Sequence, residues 1–326
     1  MTELDDLERG LIHALQLDGR VPFAAVADVL GTSVQTVTRR YQRLRSSVGL
    51  RVIGLLDPAA DGRQQWLVRL TATAGTAQTI ARALARRDDT SWVRLASGGT
   101  EIISVVTTSP DLPYAHALLL RDIPRTRSIT AVSAHYILHT YLGGPSAWPG
   151  RTAALTTDQQ ARLKPPASPE PPAHPLLPLP LVDQRLVKAL AIDGRASFTD
   201  LAAAAGTSAS TAARRLDALR ADGRMFFDVE MDDAALGVTT KAMLWMSVAP
   251  QHLDNVAAEL SRHPELAFVA ATTGRTNLVA QVLSTDLASL HRYLITDLAQ
   301  VQGITDLETA PILTTLKATG AVRGTG

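Results

Sequence analysis

The chain has 326 residues, enough for two to four domains with their own cores, and its 46% apolar and 19% charged content is that of an ordinary globular protein. It contains no cysteine, which excludes a disulfide framework, a thiolate metal site and a cysteine nucleophile. A formal net charge of +1 supplies no general basic excess, so affinity for a nucleic acid has to come from arginines concentrated in one place.

Taken in chain order, Leu4, Leu7, Leu11, Ile12 and Leu15 recur at helical spacing and predict an amphipathic helix that Asp18-Gly19 stops. A second helix runs from about Phe23 to Leu30, with Gly31 as its left-handed stop. Ser33 then caps a third helix, with Val34, Val37, Tyr41 and Leu44 facing inward. Gln35, Thr36, Thr38, Arg39, Gln42 and Arg43 are left on its outer side. A β-branched apolar stretch, Leu50 to Leu56, adds a strand, so residues 1–60 read as a winged helix-turn-helix module.

Residues 61–143 follow a different pattern. Strands are predicted over Trp66–Leu70, Trp92–Ala96, Ile102–Val106 and Ile129–Leu142. One helix carries Ala77, Ile80, Ala81 and Leu84, and another lies between Pro113 and Asp122. The order βαββαβ is that of a ferredoxin-like domain. Residues 144–180 form a linker: part loop and part short helix up to Leu163, then 8 prolines between Lys164 and Pro180, a density no helix or central strand holds.

Beyond the linker the chain says the same thing again. Residues 179–220 align with 4–45 at a constant offset, with 17 of 42 positions identical, too many for unrelated helices. Residues 181–233 are therefore a second winged helix-turn-helix, and 234–320 a second βαββαβ domain, with strands over Met243–Val248, Phe268–Thr272, Leu278–Leu283 and about Leu307–Leu316. One helix there carries Leu253, Val256, Ala257 and Leu260, the other Leu287, Leu290, Leu294 and Leu298. The fold class is α+β, two helix-turn-helix modules each followed by a ferredoxin-like domain. An uncovered apolar sheet face is unstable in water, so the open faces should pack on each other within or between chains, and a homodimer or larger even oligomer is expected.

The repeated third helices carry the chemistry. From Ser33 to Arg45 there are four arginines and no acid, while Ser208 to Arg220 has Arg214, Arg215 and Arg220 against Asp217. An α-helix fits the major groove of DNA and presents its first turns to base edges. Gln35 and Thr36, and Ser210 and Thr211, fall there; Arg39 and Arg43 lie further along, where phosphate contact is the better match, and Thr38 shares the outer face. Arg40, Arg214 and Arg215 complete the expected DNA-binding set, although Arg40 and Arg215 could instead hold the first helix through an acid such as Glu8 or Asp183. Ala212, Ala213 and Asp217 blunt the second copy, which is expected to read a weaker half-site or none.

The shared pattern Asp18-Gly19-Arg20, Ala27, Gly31, Ser33, Arg40 and Leu44, repeated as Asp193-Gly194-Arg195, Ala202, Gly206, Ser208, Arg215 and Leu219, resembles the Lrp/AsnC (feast/famine) transcription factors. Ala235-Leu236-Gly237 is similar to the family's link into its sheet domain. The resemblance implies a tandem, two-unit regulator whose partners are double-stranded DNA and a small-molecule effector, an amino acid or other metabolite, near the sheet hairpins. Gly98, Thr100, Glu101, Gly274, Thr276 and Asn277 stand at those hairpins, but the aspartate usual in the family is missing from both.

No cofactor or metal is expected, since no Gly-x-Ser-x-Gly elbow, phosphate-cradling Gly-Lys loop or clustered His/Asp set occurs. The absence of an apolar leader or membrane-length run points to the cytoplasm. The main rival is an enzyme, because paired domains resembling this family also form sirohaem decarboxylases. His135 and His139, four apart on one strand, are the residues such a function would recruit; surface or cross-strand packing is the favoured account of them. A further rival is an assembly or sensing module whose helix-turn-helix pairs no longer bind DNA.

Overall fold

The computed structural model describes residues 4–57, 62–108, 116–144, 154–164 and 179–319. The first half runs α1 (Asp6–Leu17), α2 (Phe23–Val29), α3 (Val34–Ser47), β1 (Arg51–Leu56), β2 (Gln64–Ala72), α4 (Ala77–Ala85), β3 (Thr90–Ala96) and β4 (Glu101–Thr108). A π-helical turn at Leu118–Asp122 leads into α5 (Ile123–Arg125) and β5 (Ile129–Leu142), and α6 (Thr157–Leu163) follows. The second half runs α7 (Leu181–Leu190), α8 (Phe198–Ala205), α9 (Ala209–Ala221), β6 (Met225–Glu230), β7 (Thr240–Val248), α10 (Leu253–Leu260), β8 (Leu266–Thr272), β9 (Leu278–Ser284), α11 (Leu287–Ile295), α12 (Asp297–Gln300) and β10 (Ile304–Lys317). These elements group by kind rather than by half. One unit takes residues 1–61 and 144–237, both helical modules; the other takes 62–143 and 238–326, both sheet segments.

In the helical unit the local sequence sets each element. Asp5 and Glu8 form a reciprocal capping box at the start of α1, and Ser33 and Ser208 accept the backbone N–H of Thr36 and Thr211 at the starts of α3 and α9. Gly31 and Gly206 take positive φ of 62° and 69° where the chain turns between the second and third helices. The stripe of α3 buries Val37, Tyr41 and Leu44, but Val34, expected inside, is 48% exposed. Its neighbours Ser33 and Gln35 are exposed too, because the first turn of α3 stands clear of the core.

The strand after each third helix is not a wing on its own module, as the sequence suggested. β1 pairs antiparallel with β6 along its whole length, from Arg51 opposite Glu230 to Leu56 opposite Met225. β1 lies against α7, and β6 against α1. Residues 1–60 and 181–233, read from the sequence as separate domains, thus share one ribbon.

The Asp-Gly-Arg turns lock this exchange. The N–H of Gly194 donates to the Val52 carbonyl at 2.7 Å, and a Cβ on Gly194 would sit 2.9 Å from that oxygen. A Cβ on Gly19 would meet Phe227 and Val52 side-chain carbons at 2.6 and 2.7 Å. Arg20 donates to the carbonyls of Gly194 (2.7 Å) and Ala196 (3.1 Å) while lying over the Phe198 ring at 5.0 Å. Arg195 reciprocates on Gly19 (2.7 Å) and Val21 (3.1 Å), over Phe23 at 4.3 Å. Burial lowers the pKa of both guanidiniums, and four carbonyls would lose a charged donor without them.

The first module has an additional brace. Buried Leu155 precedes α6 and buried Leu163 ends it, and the helix packs on α1 and α2. The His13 Nδ1 accepts from the backbone N–H groups of Ala154 (3.2 Å) and Leu155 (3.1 Å), and burial lowers the imidazole pKa, favouring the neutral form that can accept. The remainder of the predicted linker, residues 145–153 and 165–178, lies outside the described residues.

The sheet unit contains two βαββαβ halves, ordered β3-β4-β2-β5 and β8-β9-β7-β10. β5 and β10, each of 14 residues, are long for strands because each serves both sheets. β5 pairs with β2 up to Tyr136 and with β8 from Ile137; β10 pairs with β7 up to Pro311 and with β3 from Ile312. The result is a closed eight-stranded barrel, so the two open sheets meet within one chain. Leu67, Ile103, Val105, Met243, Trp245 and Val279 fill the layer between them. The outer faces are covered by α4 in one half and α10 in the other.

Two helix expectations needed correction. The one between Pro113 and Asp122 is a π-helical turn from Leu118 continuing to Arg125, residues 109–115 being outside the described set. Pro124 has no N–H to continue an α-helical ladder, and the Ile123 N–H bonds back to Leu118. The helix carrying Leu287 to Leu298 breaks at Thr296 (ψ −64°, φ −110°), whose hydroxyl donates to the Arg292 carbonyl. Because the Gly194 contact is with backbone, Gly194→Ala should destabilise the helical unit by about 1–3 kcal/mol. A urea midpoint unchanged from the parent would show that the ribbon tolerates the extra methyl.

Candidate nucleic-acid interface

The outer side of α3 is built by its cap. Ser33 Oγ holds the Thr36 N–H at 3.1 Å and the Thr36 hydroxyl at 2.9 Å, and the Thr38 hydroxyl turns back to the Val34 carbonyl at 2.9 Å. Thr36 and Thr38 hydroxyls are thus engaged locally, whereas Gln35, Arg39 and Gln42 project from exposed positions. No ion pair among the described residues involves Arg39.

Arg40 and Arg43 turn toward α1 instead. Arg40 Nη1 lies 2.8 Å from Asp5 and 3.2 Å from Glu8; Arg43 Nη1 lies 3.3 Å from Glu8. Glu8 has only 1% of its side chain exposed, so these guanidiniums stand where water would otherwise contact its carboxylate. Arg43 nonetheless keeps 46% of its side chain in solvent, against 24% for Arg40. The second module repeats the tie, Arg215 Nη1 reaching both Asp183 oxygens at 3.0 and 3.1 Å. Of the two roles the sequence left open for Arg40 and Arg215, the geometry matches the structural one.

The outer side of α9 is plainer. Ser210 and Arg214 are exposed beside Asp217 and Ala218, and the Thr211 hydroxyl is held by Ser208 at 2.9 Å. Arg220 reaches across to Asp18 of the first module at 3.0 Å. The crossed arginines Arg20 and Arg195 were missed as functional residues in the sequence. Their signal was the identical Asp-Gly-Arg triplet before a phenylalanine in both copies, which a lone helix stop would not require.

The hairpin residues expected near an effector are brought into the barrel's own bonding. Gly98 and Gly274 take positive φ of 73° and 107° in the turns. Thr100 donates to the Ser97 carbonyl at 3.1 Å, and Thr272 donates to the Thr276 carbonyl at 3.1 Å. Glu101 accepts from Arg69 at 2.7 Å and from the Ser97 hydroxyl at 2.6 Å. Arg69 also binds Glu308 of the other half, which raises the guanidinium pKa and lowers that of Glu308. Asn277 brackets the Val248 backbone, donating at 2.8 Å and accepting at 2.9 Å. His135 meets the Ser133 hydroxyl at 2.5 Å, and exposed His139 stands edge-on to Tyr141 at 4.5 Å, so the two imidazoles have separate partners. Among the described residues no cluster of three or more His, Asp or Glu could hold a metal, and no helix is long and apolar enough to cross a membrane.

Paired helix-turn-helix modules with one polar, arginine-bearing third helix each, joined to ferredoxin-like halves, define a class of transcriptional regulator. The model of the AsnC-type helix-turn-helix domain matches residues 4–45 and 181–220, and that of the Lrp/AsnC ligand binding domain matches 241–322; the chain belongs to the Lrp/AsnC family, in a tandem two-unit form. It is 29% identical over 145 residues to the HTH-type transcriptional regulator FL11 of Pyrococcus horikoshii, covering 44% of this chain and 95% of that one. It is 27% identical over 143 residues to the uncharacterized HTH-type transcriptional regulator PH0140 of the same organism, covering 44% and 90%. Each relative therefore corresponds to one unit of the two. The crystal structure of the siroheme decarboxylase NirDL shares the fold over 98% of this chain and 94% of that one, with TM-score 0.64 and 12% identity.

The two arginine roles separate experimentally. Arg40→Ala should cost about 2 kcal/mol of stability, less than for a fully buried pair because Arg40 is partly exposed. Arg39→Ala should stay within about 0.5 kcal/mol of the parent. Equal urea midpoints for the two variants would dissolve the distinction.

Proposed function

We propose that this Lrp/AsnC-type regulator binds duplex DNA sequence-specifically, reading two unlike half-sites through α3 and α9. The observation that carries the reading is the exposed, acid-free side of α3 with Gln35, Arg39, Gln42 and the outer part of Arg43. Gln35 suits a paired contact to an adenine edge, and Arg39 and Arg43 suit phosphates. Ser210 and Arg214 give α9 a smaller set, with Asp217 nearby to weaken its hold on a polyanion. Thr36, Thr38 and Thr211 can still offer methyl groups, while Arg40 and Arg215 act by orienting their helices. Joining both modules in one chain raises the effective concentration of the second once the first is bound. A regulator of this kind works in the cytoplasm, beside its DNA.

Assembly beyond the single chain is supported by Leu138 and Leu313, each 61% exposed on the shared strands β5 and β10, with Val132 and Leu307 also in solvent. We assign Glu101 and Asn277 to holding the barrel ends, which leaves Gly98, Thr100, Gly274 and Thr276 as hairpin positions for a metabolite to approach. The sirohaem-decarboxylase alternative is not favoured: at 12% identity the likeness to NirDL is one of fold, and His135 and His139 face different partners.

Selection of bound duplexes from a random pool should return a motif with two spaced, non-identical halves. Arg39→Ala should weaken binding to every sequence and flatten its salt dependence by roughly one unit of slope. Gln35→Ala should change preference at one position by about 1–3 kcal/mol. A uniform loss in the Gln35 variant, or no enriched motif from the parent, would overturn the groove assignment. Light scattering at micromolar concentration should give at least twice the 34.8 kDa chain mass; a single-chain particle would remove the oligomer from the proposal.

A further inference from the structure

Among the described residues, the outer faces of the two ferredoxin-like halves differ around Tyr293. In the second half Tyr293, 2% exposed, lies in the core beneath α10 and α11, its hydroxyl 3.0 Å from His263 Nδ1 and the rings edge-to-face at 5.7 Å. The last strands, β5 and β10, correspond at an offset of 175 residues, which puts Leu118 where Tyr293 stands. The strand–helix–strand blocks before them correspond at 176, which puts Arg87 at the place of His263. Neither the phenol nor its imidazole partner exists in the first half.

At that place the first half has a cavity of about 300 Å³. Leu70, Leu84, Leu118 and Ile123, all buried, line its interior; Thr79, Ala83, Arg87 and Asp122 line it nearer solvent. A dry cavity of about 150 Å³ in another protein suffices to hold benzene, so this volume accommodates a substituted ring. The rim disfavours an ion of either sign. Arg87 is paired with Asp89 at 2.8 and 2.7 Å and with Asp122 at 3.4 Å, so its charge is already answered. Those contacts use three of the five guanidinium N–H groups, and Thr79 adds a hydroxyl at the rim.

We propose that the cavity beneath α4 is a binding site for a small neutral phenol-like molecule, whose ring takes the place that the Tyr293 side chain fills in the second half. The ring packs on Leu84, Leu118 and Ile123, and the hydroxyl meets the Arg87–Asp122 rim as Tyr293 meets His263. This site lies away from the hairpin positions and from α3 and α9 in sequence, and its occupancy does not depend on DNA binding.

The test uses p-cresol, the side chain of tyrosine as a free molecule, titrated into the full chain without DNA and followed by saturation-transfer NMR. The parent should give a saturable signal. Leu118→Tyr, which restores the second half's residue, should abolish it. Ala83→Trp, at an exposed helix position on the rim, should abolish it without touching the core. No saturable signal in the parent, or one that survives in a folded Ala83→Trp variant, overturns the proposal.

Discussion

Each helix-turn-helix module is finished by the other. The constraint begins at two Asp-Gly-Arg turns, where a glycine lets a strand approach and the next arginine crosses to carbonyls of the opposite module. A guanidinium half-buried over a phenylalanine ring is costly to desolvate, and it is tolerated here because several carbonyl oxygens and the ring face receive it. The ribbon of β1 and β6 and the seating of each on the opposite module's first helix depend on the same close approach. The orientation of α3 and α9 then follows from contacts one step removed, since Arg40 and Arg215 tie those helices to the acids of α1 and α7.

The sheet unit solves the same problem by sharing strands. A four-stranded sheet with helices on one face leaves the other bare. Here β5 and β10 run past their own sheets and continue in the neighbour, so the bare faces close on Leu67, Met243 and Trp245 without needing another chain. Arg69, over Trp245 and bonded to Glu101 and Glu308, fastens one half to the other across this closure.

Much of this was legible in the residues. The caps at Ser33 and Ser208 and the left-handed stops at Gly31 and Gly206 are local signals that tertiary packing did not override. Strand exchange was not legible, because a six-residue apolar strand carries no mark of which module it will join. Val34 was misplaced for a related reason: helical periodicity assigns it to the apolar stripe, but the stripe is used only where another element covers it, and among the described residues none covers the first turn of α3. At the interface, charge type was readable and charge partner was not. Arg39 and Arg40 are adjacent in sequence and about 100° apart on the helix, which is enough to send one to solvent and the other to Asp5 and Glu8.

The unlike outer faces of the two third helices have a directional consequence. Two identical reading heads related by a twofold axis sit on a palindrome equally well after being turned end for end. A single polypeptide with Gln35 and Arg43 on one head, and Ser210 and Ala218 at the matching places on the other, has no such equivalent placement. On the proposed DNA-binding reading each chain, taken by itself, therefore has a front and a back on the duplex, set by the order of the bases; only a second copy turned end for end restores the symmetry.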